Sequence, residues 1–309
     1  MPLRLLAALI ALAVVAGCAQ RTAADRFTAG RLNVVTSFYP LEFLSERIGG
    51  ADVHVTDLTK PGAEPHDVEL NPRQVGQVAD AGLAVFLHGF QPAVDDAVAL
   101  EAKGTAFDVA SAVSLLPLSD GTDGRPEPGA GHPEAANGMD PHVWLDPVRF
   151  AAISDRLAER LGQADPAHAA GFAARARQVH AELDALDAEF ASRLKSCQRR
   201  EIVTSHSAFN YLASRYGLTQ VGITGISPEA EPSPRRLGQV AARARATGTT
   251  TIFFETLVSP KVAETIASEV GARTAVLDPL EGLTEPGADY FSVMRGNLTA
   301  LSTALGCTA

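Results

Sequence analysis

The chain has no basic stripe. Its 26 Lys and Arg are outnumbered by 36 Asp and Glu, for a net charge of −10, and a nucleic-acid surface needs the opposite balance. No apolar run is long enough for a comfortable transmembrane helix. The longest one of note, Leu5 to Ala16, falls short of the roughly 20 residues that a bilayer requires. There is no His-Glu-x-x-His, the helix-borne pair with which many zinc hydrolases hold their metal. No two of the 3 cysteines stand as Cys-x-x-Cys, which argues against a thiolate metal or redox site. What remains is an ordinary globular composition, 46% hydrophobic and 20% charged over 309 residues, enough for one large core or two moderate ones.

Residues 1–17 read as an export signal, with Arg4 ahead of the apolar run Leu5 to Ala16. The run ends in Val15-Ala16-Gly17-Cys18, which resembles the lipobox of bacterial lipoproteins, with Cys18 as a lipid-modified new N-terminus. Ordinary cleavage beyond residue 18 is the alternative. Residues 18–31 are then a tether. In an exported chain the two remaining cysteines, Cys197 and Cys307, can pair. A loop of 110 residues closed in this way is worth roughly 4–5 kcal/mol in the chain-entropy picture. Two buried thiols are the other reading.

The chain then alternates strand-like and helix-like runs. Strands are expected at Leu32–Phe38, Val53–Leu58, Leu83–Leu87 and near Ala106–Val109, with helices between them. Asn71-Pro72 and Asp146-Pro147 are N-cap and first-turn proline pairs. From Asp165-Pro166 to Lys195 there is no further proline and only Gly171, so one helix of about thirty residues, about 45 Å long, is expected as a stiff spine. The second half has the same grammar: strands at Glu201–Thr204, Val221–Ile223, Thr251–Phe254 and Thr274–Leu277, and helices opened by Ser233-Pro234, Ser259-Pro260 and Tyr290. There is no sequence repeat. The fold class is α/β, with two doubly wound parallel-sheet lobes joined by one long helix. The boundaries are 32–164 for the first lobe, 165–196 for the linking helix and 197–309 for the second lobe. Pro117 to Gly138 breaks the pattern with Gly, Pro and the acids Asp120, Asp123, Glu127 and Glu134. Its single His132 favours a solvated loop over an accessory metal-gathering one.

Three histidines lie in short motifs after strands: His66 in Glu64-Pro65-His66-Asp67, His142 in Asp140-Pro141-His142, and His206 in Ser205-His206-Ser207. Asp278, in Leu277-Asp278-Pro279, lies in a similar place. Ligands in open α/β sheets bind beyond the carboxyl ends of the strands, so two facing lobes would each supply two ligands to one cleft. Three imidazoles and a carboxylate suit four-coordinate Zn2+. Asp67 and Asp140 stand where they can orient an imidazole through its second nitrogen. Glu255, at the end of a neighbouring strand, can compete with Asp278 or support it. His54, His88, His168 and His180 are expected to be surface or hydrogen-bonded residues.

At these motifs the chain resembles the zinc- and manganese-type solute-binding proteins of bacterial ABC importers. The resemblance runs from about residue 32 to 307, through His66-Asp67-Val68-Glu69-Leu70-Asn71-Pro72, Asp140-Pro141-His142-Val143-Trp144-Leu145-Asp146-Pro147, Ser205-His206-Ser207-Ala208-Phe209, Ile252-Phe253-Phe254-Glu255 and Leu277-Asp278-Pro279-Leu280. It implies two lobes joined by a rigid helix, with a site formed by His66, His142, His206 and Asp278. It also implies a monomer that captures metal outside the cytoplasm, attached through lipidated Cys18, and passes it to a membrane permease with an ATPase. A metallochaperone is a further partner left open. Manganese-type members usually carry a carboxylate at the third position; His206 there favours Zn2+ over Mn2+. Many zinc-type members have a long His-rich loop before the middle motif, which this chain lacks. The rival readings are a binding protein for Mn2+ or another divalent metal, an exported zinc hydrolase, and an adhesin or metal buffer. The hydrolase needs an open metal position that four ligands would fill.

Overall fold

The computed structural model of the chain describes residues 26–119 and 138–308. The export signal, Cys18, His132 and the acids of its loop lie outside the described residues. Among those described, no helix is long and apolar enough to cross a membrane.

Two parallel sheets form the frame. In the first half the elements are β1 (Phe27–Thr28), β2 (Arg31–Thr36), α1 (Tyr39–Gly49), β3 (Val53–Asp57), α2 (Pro72–Asp80), β4 (Leu83–Phe86), α3 (Pro92–Glu101) and β5 (Ala106–Asp108). Strand β2 pairs in parallel with β3 on one side and β4 on the other, and β5 extends β4. Strand β1 adds a short antiparallel hairpin to the start of β2. The second half has β6 (Glu201–Thr204), α6 (Asn210–Tyr216), β7 (Thr219–Gly222), α7 (Pro234–Thr247), β8 (Thr251–Phe254), α8 (Lys261–Val270), β9 (Arg273–Val276) and α9 (Tyr290–Leu305). Its order, β7-β6-β8-β9, matches β3-β2-β4-β5. In both sheets the first parallel strand, β2 or β6, is central, with the next strand in sequence on one side of it and the one after that on the other.

Two helices join the halves: α4 (Pro147–Ala164) and α5 (Ala169–Arg193). The expected spine exists but begins later. Pro166–His168 forms a 3-10 turn, and Asp165 directs its carboxylate to the His168 ring at 2.6 Å rather than to the backbone. The helix therefore spans 25 residues, about 38 Å. Phe172, Ala176, Val179, Leu183, Leu186 and Phe190 form its buried stripe, at the alternating three- and four-residue spacing of an inward helix face. Its early turns hold the first half, through Arg175 to the Ile48 and Gly49 carbonyls and to Asp52. Its later turns hold the second half, through Asp187 to the Tyr216 hydroxyl and Glu189 to Arg295.

The outer face of each sheet packs its own small core against α2 and α3, or against α7 and α8. The inner faces share one core that runs from Leu32 to Leu305. Tyr290 lies within it, stacked on Phe43 at 5.5 Å and close to Phe150 at 4.7 Å, with its hydroxyl donating to the Trp144 carbonyl. Asp146 caps α4, as its sequence position implies, and also takes Arg149 and, from the other half, Arg215. Asn71 and Ser233 cap their helices as expected, the first through a capping box with Gln74. Helix α6 starts at Asn210, two residues later than Ala208, and the Ser207 N–H before it donates to the Gly225 carbonyl. Cys197 and Cys307 form the expected disulfide, set in a short antiparallel pairing that ties the end of the chain to the start of the second lobe.

Candidate metal centre

The loop after β3 carries His66. Its Pro65 carbonyl accepts from the Gln91 amide, which also donates to Ser37 O and Thr59 Oγ1. Gln91 lies at the start of α3 and is 1% exposed, so the loop is fastened to the carboxyl edge of β2 and β4. The His66 ring meets the edge of Phe90 at 4.6 Å. Asp67 is exposed and does not take the orienting role expected of it. Glu64 does accept the His66 backbone N–H at 3.1 Å. Burial and then the nearby Glu281 push the Glu64 carboxyl up to about 9.

His142 is held by Asp140. The same Asp140 oxygen lies 2.9 Å from both the His142 backbone nitrogen and Nδ1. An Nδ1 proton shared with Asp140 leaves Nε2 free to ligate. His206, just past β6, repeats the arrangement with Glu255, whose Oε1 is 2.8 Å from Nδ1 and also accepts from Ser205. The His206 carbonyl is pinned by Thr204 Oγ1 and Gln220 Nε2. Gly222 makes this tight turn possible, since a Cβ there would fall 2.2 Å from Ser207 Oγ.

The structure brings together the three histidines expected from sequence, but not Asp278. Their fourth companion is Glu281, and the four candidate ligand atoms lie within 4.8 Å of one another. Glu281 Oε1 is 3.1 Å from His142 Nε2, 3.1 Å from His206 Nε2 and 3.5 Å from His66 Nε2, while the His142 and His206 Nε2 atoms are 3.4 Å apart. A tetrahedron with bonds of about 2.0–2.1 Å separates its ligand atoms by about 3.3 Å, and these four separations lie close to that value. Glu281 Oε2 is buried with no hydrogen-bond partner among the described residues. All four side chains are at most 2% exposed.

Asp278 is elsewhere because its carboxylate is committed. Oδ1 accepts the Leu280 N–H at 2.8 Å, and Oδ2 accepts from Thr256 at 3.1 Å. It lies two residues beyond β9 rather than at its last position. Leu280 has φ +60°, a conformation that costs an L-residue about 1–2 kcal/mol, and the turn carries the chain on to Glu281. The sequence signal for Glu281 was an acid three residues after Asp278 in Asp-Pro-Leu-Glu. Glu255 stands behind His206 and is not one of the four.

Burial alone would strip the proton from His206 and His142. The carboxylates win: Glu255 and Glu281 hold His206 well above its ordinary value, and hydrogen bonds to Asp140 and Glu281 raise His142. Burial likewise opposes charge on Glu281, yet His206 and His66 hold it well below the usual range. The site is thus built around separated charges that a cation would replace. His88, His168 and His180 pair with Asp95, Asp165 and Asp155, and His54 is exposed, so none of them joins the cluster.

The family model described as "Zinc-uptake complex component A periplasmic" matches residues 34–304. The zinc-binding protein AdcA of Streptococcus pyogenes serotype M3 is 36% identical over 289 residues, covering 88% of this chain and 56% of the relative. The chain thus spans little more than half the length of that relative. The high-affinity zinc uptake system protein ZnuA of Bacillus subtilis is 34% identical over 281 residues, covering 89% of this chain and 88% of the relative. The zinc-bound ZnuA-like domain of Streptococcus pneumoniae AdcA superposes with a TM-score of 0.74 at 33% identity, covering 89% of this chain and 99% of that one. By the family model, which covers most of its length, and by these relatives, the chain belongs to the periplasmic component A family of zinc-uptake complexes.

Proposed function

We propose that the chain captures Zn2+ outside the cytoplasm and delivers it to the permease of an ABC importer driven by a cytoplasmic ATPase. The ligands are Nε2 of His66, His142 and His206 and the carboxylate of Glu281. The observation that carries the reading is the convergence of those four buried side chains, whose ligand atoms lie within 4.8 Å of one another, with Glu281 Oε1 3.1–3.5 Å from all three Nε2 atoms. Three imidazoles with one carboxylate select zinc over manganese, which prefers oxygen donors. Four such ligands would fill a tetrahedral shell and leave no position for the activated water that a zinc hydrolase needs. The relatives named above as zinc-binding and zinc-uptake proteins support the cargo.

The protein acts as a monomer anchored through lipidated Cys18, with residues 32–164 and 197–309 as lobes joined by the helical segment 165–196. Supply by a metallochaperone is compatible with this reading.

The test is metal competition on the soluble chain from about residue 25. Metal-free protein is offered equal Zn2+ and Mn2+ with a calibrated chelator, and its content is read by elemental mass spectrometry. One tightly held zinc per chain is expected. Manganese preference would change the cargo, and no tight metal would overturn the capture reading.

A further inference from the structure

We infer that Asp278 is a positioning residue whose carboxylate locks the left-handed turn at Leu280 and so aims Glu281 into the histidine cluster. The inference rests on the zinc reading above. Asp278 is itself fixed from behind by Asn297, which accepts its N–H at 2.9 Å and donates to its carbonyl at 2.7 Å. Both carboxylate oxygens are then used, one on the Leu280 N–H and one on Thr256.

Leu280 is fully buried at φ +60°. A non-glycine residue stays in that region only where its surroundings over-determine it. Two restraints bracket the peptide that precedes it. Asp278 holds the Leu280 N–H, and Trp144 Nε1, reaching across from the other half, donates to the Pro279 carbonyl at 2.7 Å. The Trp144 ring in turn lies 5.2 Å from the His142 ring, so the turn is registered against a ligand of the opposite lobe. Without an acceptor at Asp278, the Leu280 N–H loses its partner and the peptide is free to rotate to negative φ. The Glu281 carboxylate then leaves the point on which the three Nε2 atoms converge.

The experiment titrates Zn2+ against a competing chelator into the soluble chain and four variants: D278N, D278A, E281Q and D278A/E281Q. Asn keeps an acceptor for the Leu280 N–H without the charge, and the Thr256 hydroxyl can turn to accept from its amide. D278N should therefore stay near wild-type affinity. D278A should lose about 10–100-fold, the range seen when an outer partner of a ligand is removed. D278A/E281Q should bind no more weakly than E281Q, because the two changes remove the same interaction. Equal losses in D278N and D278A, or additive losses in the double variant, would overturn the inference. Wild-type affinity in E281Q would instead overturn the ligand set beneath it. If D278A does not fold, the isosteric D278N decides: near wild-type affinity supports the role, and a loss matching E281Q overturns it.

Discussion

The two sheets share a strand order and use it differently. Between β6 and β8 of the second half, the switch point carries His206 and Glu255, already hydrogen-bonded as proposed ligand and support. Between β2 and β4 of the first half, the same place is filled by Gln91, an amide that ties down Ser37, Thr59 and Pro65. The first half therefore presents His66 and His142 from loops beyond its sheet, and supports them with Phe90, Asp140 and Gln91. Topology fixes where a site can form. Whether the ligand stands at the strand end or on a braced loop is decided by individual side chains.

Removing a ligand should have the largest effect. His206→Ala and His66→Ala should each weaken zinc binding by more than the roughly 10–100-fold expected for an outer partner, in chelator competition. Full affinity in either would remove that histidine from the ligand set. Glu255→Gln should cost about 10–100-fold, since it alters the hydrogen bond that orients a strand-end ligand.

Acid should release the metal. The raised folded values of His206 and His142 mean that protons compete from higher pH than for free imidazole, by about tenfold per pH unit for each proton displaced. In metal-free protein these two histidines contribute stability that is fully present below the unfolded value of about 6.5. That stability is lost as pH rises through their raised folded values. Glu281 has the opposite sign: its contribution holds above about 4.3 and is lost as pH falls through its depressed folded value. Calorimetry in buffers of different ionisation enthalpy should show proton release on zinc binding, declining as pH rises. A release independent of pH would contradict these shifts.

Gln91→Ala should act mainly on folding. It leaves buried acceptors unpaired at about 1–3 kcal/mol in denaturant titration, with a smaller loss of affinity through His66. An affinity loss as large as that of His66→Ala would erase the distinction between brace and ligand. His132→Ala, beyond the described residues, should leave affinity unchanged.

Much of this was legible in the sequence because it is local. Asn71, Asp146 and Ser233 announce their helices by cap chemistry, and the three histidines sit in motifs at strand exits. The apolar spacing from Phe172 to Phe190 belongs to one continuous helix face. What failed was not local. Asp278 occupies the strand-exit position expected of a ligand, but its carboxylate is captured by Leu280 and Thr256, and the turn is registered by Trp144 from 135 residues away. The delayed start of α5 is a local competition instead: Asp165, three residues before His168, turns its carboxylate to that ring rather than to the helix backbone. A sequence shows which acids stand near a turn, and the packed structure decides which of them the turn consumes.

The core shared by the inner faces, together with Arg215 crossing to Asp146, makes a wide rigid-body parting of the lobes expensive. On the zinc reading proposed above, ligand side chains at most 2% exposed would be reached by opening of the loops that bear them. Residence time and affinity become separable properties. On that reading, coordination would set how tightly the ion is held, and the opening of the ligand-bearing loops would set how quickly it is exchanged. A docking partner that spreads those loops would speed unloading without altering a single ligand.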